Sequence, residues 1–210
     1  MKFGGTSVAD ADAMTRVVHI VRTQWELQPK GSRPPVVVVS ALSKVTDGLI
    51  RTAECARGGD GAKAAALVSE LLERHIGIAR TLTSGERTES LVASLRAQFA
   101  ELGATVASCA AARAVTPAHH DAVVAMGELA SSRIVAAAFQ EQGLPSAWVD
   151  SREVLVTDGE HTLAAPDMDA TCVKAQQTLA PLGTAQRIPV MGGFIAATRD
   201  GQTMTLGRGG

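Results

Sequence analysis

Residues 33–40 read RPPVVVVS, and this run narrows the fold more than any other stretch of the chain. The two prolines cannot continue a helix, and each pushes the residue before it towards extended backbone. Four valines follow, with none of the polar–apolar alternation of a strand that faces water on one side. A short, uniformly β-branched run is the pattern of a strand covered on both faces, as in a parallel sheet with helices above and below. Parallel neighbours need crossovers, and the flanking sequence supplies helical ones. Upstream, Met14, Val17, Val18, Val21 and Trp25 recur at helical spacing behind Asp10, which is suited to cap that helix. Downstream, residues 45–57 also read as helix.

From about 61 to 142 the chain is rich in alanine and leucine. Leu67, Leu71, Leu72 and Ile76 form one helical stripe; Leu91, Leu95, Phe99 and Leu102 form another. Thr116-Pro117 marks a helix start that should stop near Gly143. A short strand follows (AWVD, 147–150), then an irregular stretch, a helix over 167–180 and a buried strand opening with IPVMGGF at 188. Asp200-Gly201 between two alternating segments predicts a hairpin. The fold class is therefore α/β: a three-layer α/β/α sandwich with a mainly parallel central sheet and a helical insertion over about 60–142.

Charge and composition remove several functions. Twenty Lys+Arg against 21 Asp+Glu leave a formal net charge of −1, which gives no electrostatic case for nucleic acid or an anionic membrane. Aromatics are 3% with no tyrosine, so a base-stacking platform is not expected either. The N-terminus lacks the apolar core of a signal peptide, and no run approaches 18 apolar residues, so a soluble, cytoplasmic protein is expected. Cys55, Cys109 and Cys172 lie far apart without a CxxC pair and read as reduced thiols. The five histidines have no metal-ligand spacing: His119-His120 are expected at the surface, and His19 and His75 within helices. No metal-binding side chains are expected.

Four places carry residues suited to chemistry. Lys2-Phe3-Gly4-Gly5-Thr6-Ser7 falls where a strand turns into a helix; free N–H groups and a mobile cation there suit an anion. The lysine precedes the glycines, so this is not a Walker A loop, and a plain Gly-Gly turn with a solvated lysine remains an alternative. Ser40, Ser43 and Thr46 follow the valine strand, where ligands collect in open parallel sheets; such hydroxyls also serve as helix caps. Glu128 lies in the apolar helix AVVAMGELASS, where a carboxylate is costly unless it is paired or faces a site. Gly127 beside it marks close packing, and a solvated face is the alternative for Glu128. Arg208 stands between glycines, able to fork onto a carboxylate or to be ordinary loop charge.

KFGGTSV, VVVVSALSKVTD, AMGELASS and GGFIAATRDGQTMTLGRGG, in that order, resemble the aspartokinases of the amino-acid kinase superfamily. The likeness extends to AWVDSREV and AAPD between them. It implies ATP-dependent phosphorylation of the side-chain carboxylate of L-aspartate, giving 4-phospho-L-aspartate, the first step towards lysine, threonine and methionine. It implies ATP and Mg²⁺ as cofactors. Lys2, with Gly4 and Gly5, would hold the phosphate being transferred. Glu128 would grip the substrate's α-ammonium group and Arg208 a substrate carboxylate, while Thr6, Ser7, Ser40 and Thr46 match positions near the amino acid and the phosphates. Family members carry several residues before KFGGTSV, here only Met1. They continue beyond GRGG with Ser-Asp, an ATP-binding half and, usually, ACT domains. The expectation is thus one amino-acid-binding lobe spanning 1–210, with unburied sheet surface favouring association of like copies. A non-catalytic aspartate-binding remnant, an interaction module and a kinase for another small acid such as glutamate are the alternatives.

Overall fold

The computed structural model describes residues 1–207. β1 (Lys2–Phe3) passes through a 3-10 turn (Gly5–Val8) into α1 (Ala11–Glu26), and β2 (Val37–Val39) leads into α2 (Val45–Arg57). Three helices follow: α3 (Gly61–Leu82), α4 (Gly85–Ala112) and α5 (Pro117–Glu141). β3 (Ser146–Trp148), α6 (Met168–Thr184) and β4 (Ile188–Gly192) complete the main sheet, and β5 (Ile195–Ala197) and β6 (Thr203–Thr205) form an antiparallel hairpin. The main sheet is parallel throughout, in the order β1-β2-β4-β3.

The valine run does what its composition requires. Val37 and Val39 are fully buried in the largest apolar cluster, together with Phe3, Ile188 and Val190 of the sheet and residues of α1, α2 and α5. Val38 points the other way, half-buried with Met191 beneath α6. Alternate side chains of one strand therefore meet helices on opposite faces, which makes the three layers. The strand is shorter than the valine run, because Val36 lies outside the ladder.

Local signals placed the helix starts. Asp10 accepts from Ala13 N–H at 2.8 Å and caps α1. Thr116 accepts from His119 N–H, the His119 ring returns the bond to Thr116 N–H, and Pro117 fills the first helical position. Hence His119 is a capping residue at a half-buried position, not a freely solvated side chain. α6 runs one turn past Pro181, further than the expected end at 180. Pro181 and Gln177, whose carbonyl loses its intrahelical donor, are both exposed, so the lost bond falls on the solvent side of the helix.

α5 is apolar on nearly all sides and is long and apolar enough to cross a membrane by length and composition. Burial explains this: one side lies on β2, β3 and β4 and the other meets α2, α3 and α4. α3 and α4 form a further layer behind it. The free edge of β3 is blunted, since Ser146 C=O accepts from both Gln140 Nε2 and Arg187 Nη2.

His75 of α3 is completely buried between α3 and α4, its Nδ1 2.7 Å from Leu71 C=O and its ring 5.3 Å from that of Phe99. Burial pushes its pKa from 6.5 down to about 4, with a smaller push from Arg74. A base held neutral in the fold contributes stability above pH 6.5 that is lost as pH falls through 4, amounting to about 3 kcal/mol. His75→Leu should therefore lose less stability than the parent between pH 7 and pH 4 by about that amount. Denaturant midpoints at the two pH values measure it; equal losses in both proteins would refute the assignment.

Candidate functional site

At the C-terminal edge of the sheet, the ends of β1, β2 and β4 and one face of α5 close on each other. Gly5 lies against the turn after β2: a Cβ there would stand 3.0 Å from Ala41 O and 3.8 Å from Ser43 N. Gly127 lets α5 approach the same turn, its hypothetical Cβ falling 2.8 Å from the Ala41 methyl. Gly192, at the end of β4, would place a Cβ 2.9 Å from Glu128 Cβ. Gly193 N–H donates to Val39 O and Ser131 Oγ to Ser40 O, so strand ends and helix are stitched together around Glu128. Three glycines at three contacts thus bring four chain segments within reach of one carboxylate.

Glu128 is the charged group at this junction. It is 5% exposed, and its Oε2 is buried with no hydrogen-bond partner among the described residues. Burial pushes its pKa from 4.5 up to about 7, against opposing help from Ala41 N–H and its own N–H. A half-satisfied buried carboxylate is an acceptor waiting for a cationic donor. The solvated alternative for Glu128 is excluded by its burial.

The hydroxyls at the turn are not helix caps. The N-cap of α2 is Lys44, in the left-handed region at φ 65°, and no side chain caps the helix. Nor does any side chain cap the turn at Gly5–Val8, whose N-cap is Gly4. Ser40 and Thr46 are half-buried, Ser7 is half-buried and Thr6 is exposed, all near the same edge. Lys2 stands on β1 two residues before Gly4 and is exposed, with no ion pair among the described residues. Phe194, like Lys44, is a non-glycine residue at positive φ (64°), directly after Gly192-Gly193. Such backbone strain, about 1–3 kcal/mol per residue, gathers at functional sites. Arg208 lies outside the described residues.

Two supports were invisible in the sequence. Arg74 of α3 donates to Ser43 O at 2.8 Å and to Ala9 O at 3.2 Å, so the added helical layer pins both loops of the edge. Asp121, wholly buried in the first turns of α5, accepts from Thr205 Oγ1, from His161 Nδ1 at 2.7 Å and from Thr162 N–H at 3.1 Å. It ties β6 and the loop around residue 161 to the helix that carries Glu128 two turns on. A lone aspartate at the fifth position of a helix is unremarkable in a sequence, because a solvated face is its ordinary setting. Asp121→Ala strands three donors and should cost about 3 kcal/mol, lowering Tm by about 6–12 °C in a chain of this size. Calorimetric melting checks this; a shift below 2 °C would show the clamp to be idle.

Among the described residues no group of three His, Cys, Asp or Glu side chains is placed to hold a metal ion.

The amino acid kinase family model matches residues 1–210. The chloroplastic bifunctional aspartokinase/homoserine dehydrogenase 1 of Zea mays is 32% identical over 212 residues, covering 100% of this chain and 22% of that protein. Lysine-sensitive aspartokinase 3 of Escherichia coli (strain K12) is 32% identical over 227 residues, covering 100% of this chain and 43% of its own. The crystal structure of E. coli aspartokinase III with lysine and aspartate superposes with a TM-score of 0.86 at 29% identity, over 100% of this chain and 43% of that one. The same enzyme with aspartate and ADP gives 0.83 at 29%, with the same shares covered. The chain thus spans between 22% and 43% of the length of these relatives.

Proposed function

Because this chain belongs to the amino acid kinase family, we propose that its sheet edge is the amino-acid half of an aspartate kinase site, serving transfer of a phosphoryl group from ATP to the side-chain carboxylate of L-aspartate. One observation carries the reading: the buried Glu128, whose Oε2 has no partner among the described residues, packed against Gly192 at the end of β4 and beside the turn after β2 that Gly5 and Gly127 contact. The substrate's α-ammonium supplies the donor that Oε2 lacks, and its charge restores the ionised form of Glu128. Arg208 takes a substrate carboxylate as a bidentate fork. Lys2, the N–H groups of Gly4, Gly5 and Thr6 and the hydroxyl of Ser7, whose own N–H is taken by Gly4 O, face the transferred phosphate, where the work is positioning and charge neutralisation. Ser40 and Thr46 line the same edge. Mg²⁺ suits this arrangement as an ion carried on the nucleotide phosphates, since it is held mostly by phosphate oxygens and water.

The reading brings with it a cytoplasmic setting, in keeping with three free cysteines, and a place at the head of lysine, threonine and methionine synthesis. Trapping the acyl phosphate with hydroxylamine in the presence of aspartate and MgATP tests it, with glutamate as the competing substrate. Lys2→Ala should lower kcat at least about 100-fold while leaving Tm within 2 °C, because an exposed lysine contributes to charge neutralisation and not to packing. Full turnover by the Lys2→Ala protein would exclude this role. Aspartate binding without phosphoryl transfer under any condition would favour the remnant reading instead.

A further inference from the structure

A second concave site lies away from the glycine turns, between α4, α5 and the free side of β3. It is a cavity of about 650 Å³ whose wall includes Arg133, Trp148, Arg87, Glu141, Glu86 and Ser90. Arg87 is committed, since its Nη1 donates to Glu141 at 2.7 Å. Arg133 is not. Its guanidinium carbon sits 3.4 Å from the centroid of the Trp148 ring, and its Nε is buried without an acceptor. None of the ion pairs among the described residues involves it. The platform beneath it is fixed: Trp148 Nε1–H donates to Ser132 Oγ at 2.9 Å, and Ser132 Oγ donates to Glu128 O at 2.7 Å.

We propose that this cavity is a binding site for a small monocarboxylate, with Arg133 as the group that takes the carboxylate. A guanidinium held flat on an indole has lost most of its rotamer freedom, so its fork is set before a ligand arrives. A carboxylate matches that fork in geometry and charge. Burial lowers the Arg133 pKa by more than the charge of nearby Asp150, which is itself hydrogen-bonded to Arg152, raises it. With Glu141 matched by Arg87, the exposed Glu86 at the rim leaves the wall without a net positive charge. That selects a single negative charge over a polyanion such as phosphate. The hydroxyl of Ser90 and the apolar surfaces of Leu91 and Ala136 suit a short organic chain. The proposal is independent of the kinase reading, because none of the described residues of the glycine-turn site lines this cavity.

The chain has two tryptophans, Trp25 and Trp148, so spectra of the ¹⁵N-labelled 210-residue chain should show two indole N–H signals, which makes the test internal. Sodium acetate, titrated against sodium chloride at equal ionic strength, should move the Trp148 signal saturably, with a midpoint on the order of 10 mM. Trp25 should not move. Arg133→Gln should weaken the response at least tenfold, and Arg133→Lys, which keeps the charge and loses the fork, should fall between. If Arg133→Gln does not fold, Arg133→Lys alone decides: an unweakened response refutes the role of the fork. A shift that fails to saturate, that chloride reproduces, or that survives in Arg133→Gln overturns the site. Tighter binding of inorganic phosphate than of acetate overturns the monocarboxylate assignment.

Discussion

Glu128→Gln should make the unliganded chain more stable at pH 8 and, on the proposed function, remove its affinity for L-aspartate. Both effects come from one buried oxygen. Ionised Glu128 is taken out of water with Oε2 unpaired, which is why burial pushes its pKa from 4.5 up to about 7. An acid whose folded pKa is raised contributes its full stability below pH 4.5 and loses it as pH rises through 7. The loss amounts to about 3 kcal/mol. Glutamine keeps the shape and removes the charge, so its advantage should be absent at pH 4.5 and near 3 kcal/mol at pH 8. Denaturant midpoints across that range measure the difference. Affinity moves the other way, because the amide offers no counter-charge to an ammonium ion; aspartate binding should weaken at least about 100-fold. A variant that binds aspartate normally would remove Glu128 from the site. The loss of stability that Glu128 causes on the alkaline side overlaps the acid-side loss from His75, so the parent should show a nearly flat profile between pH 4.5 and 6.5 that either variant tilts.

Gly127→Val is the other large expected effect. The hypothetical Cβ at this position already meets the Ala41 methyl at 2.8 Å, Val45 Cγ1 at 3.2 Å and Leu49 Cδ1 at 3.3 Å. Ala41, Val45 and Leu49 are themselves 0–4% exposed, so none has room to retreat. Overpacking of this kind costs about 1–3 kcal/mol for the first methyl, and valine adds two more carbons. Gly127→Ala should lose about 2 kcal/mol and Gly127→Val at least twice that, readable as progressively lower denaturant midpoints. Because the displaced turn carries the Ala41 N–H that faces Glu128, aspartate affinity should fall with stability. Full stability of the valine variant would mean that α5 and the turn after β2 do not touch as described.

Elements with a local cause could be read directly. Asp10, Thr116-Pro117 and Asp200-Gly201 act on backbone within a few residues, and α1, α5 and the β5–β6 hairpin start or turn there. The valine run announced its parallel strand because coverage on both faces is written in one segment. What could not be read depends on partners far along the chain. Asp121 meets Thr205 across 84 positions and Arg74 meets Ala9 across 65, and neither pairing leaves a periodic trace. The hydroxyls after β2 were ambiguous for the same reason: whether Ser40 or Thr46 caps α2 depends on a backbone bend, and Lys44 in the left-handed region takes the cap position without a side-chain bond. Glycine pairs and a lone acid gave the site's composition. Only the contacts of Gly5, Gly127 and Gly192 explain why the acid is buried.

The most direct test is calorimetric titration of the chain with L-aspartate at pH 7 in two buffers of different ionisation enthalpy. Near its pKa Glu128 is half protonated, and pairing with an ammonium ion ionises it. Binding should therefore release about 0.5 proton per aspartate, and the release should disappear in Glu128→Gln together with the affinity. Binding that leaves the proton count at zero, or that is the same with glutamine at position 128, would contradict the account.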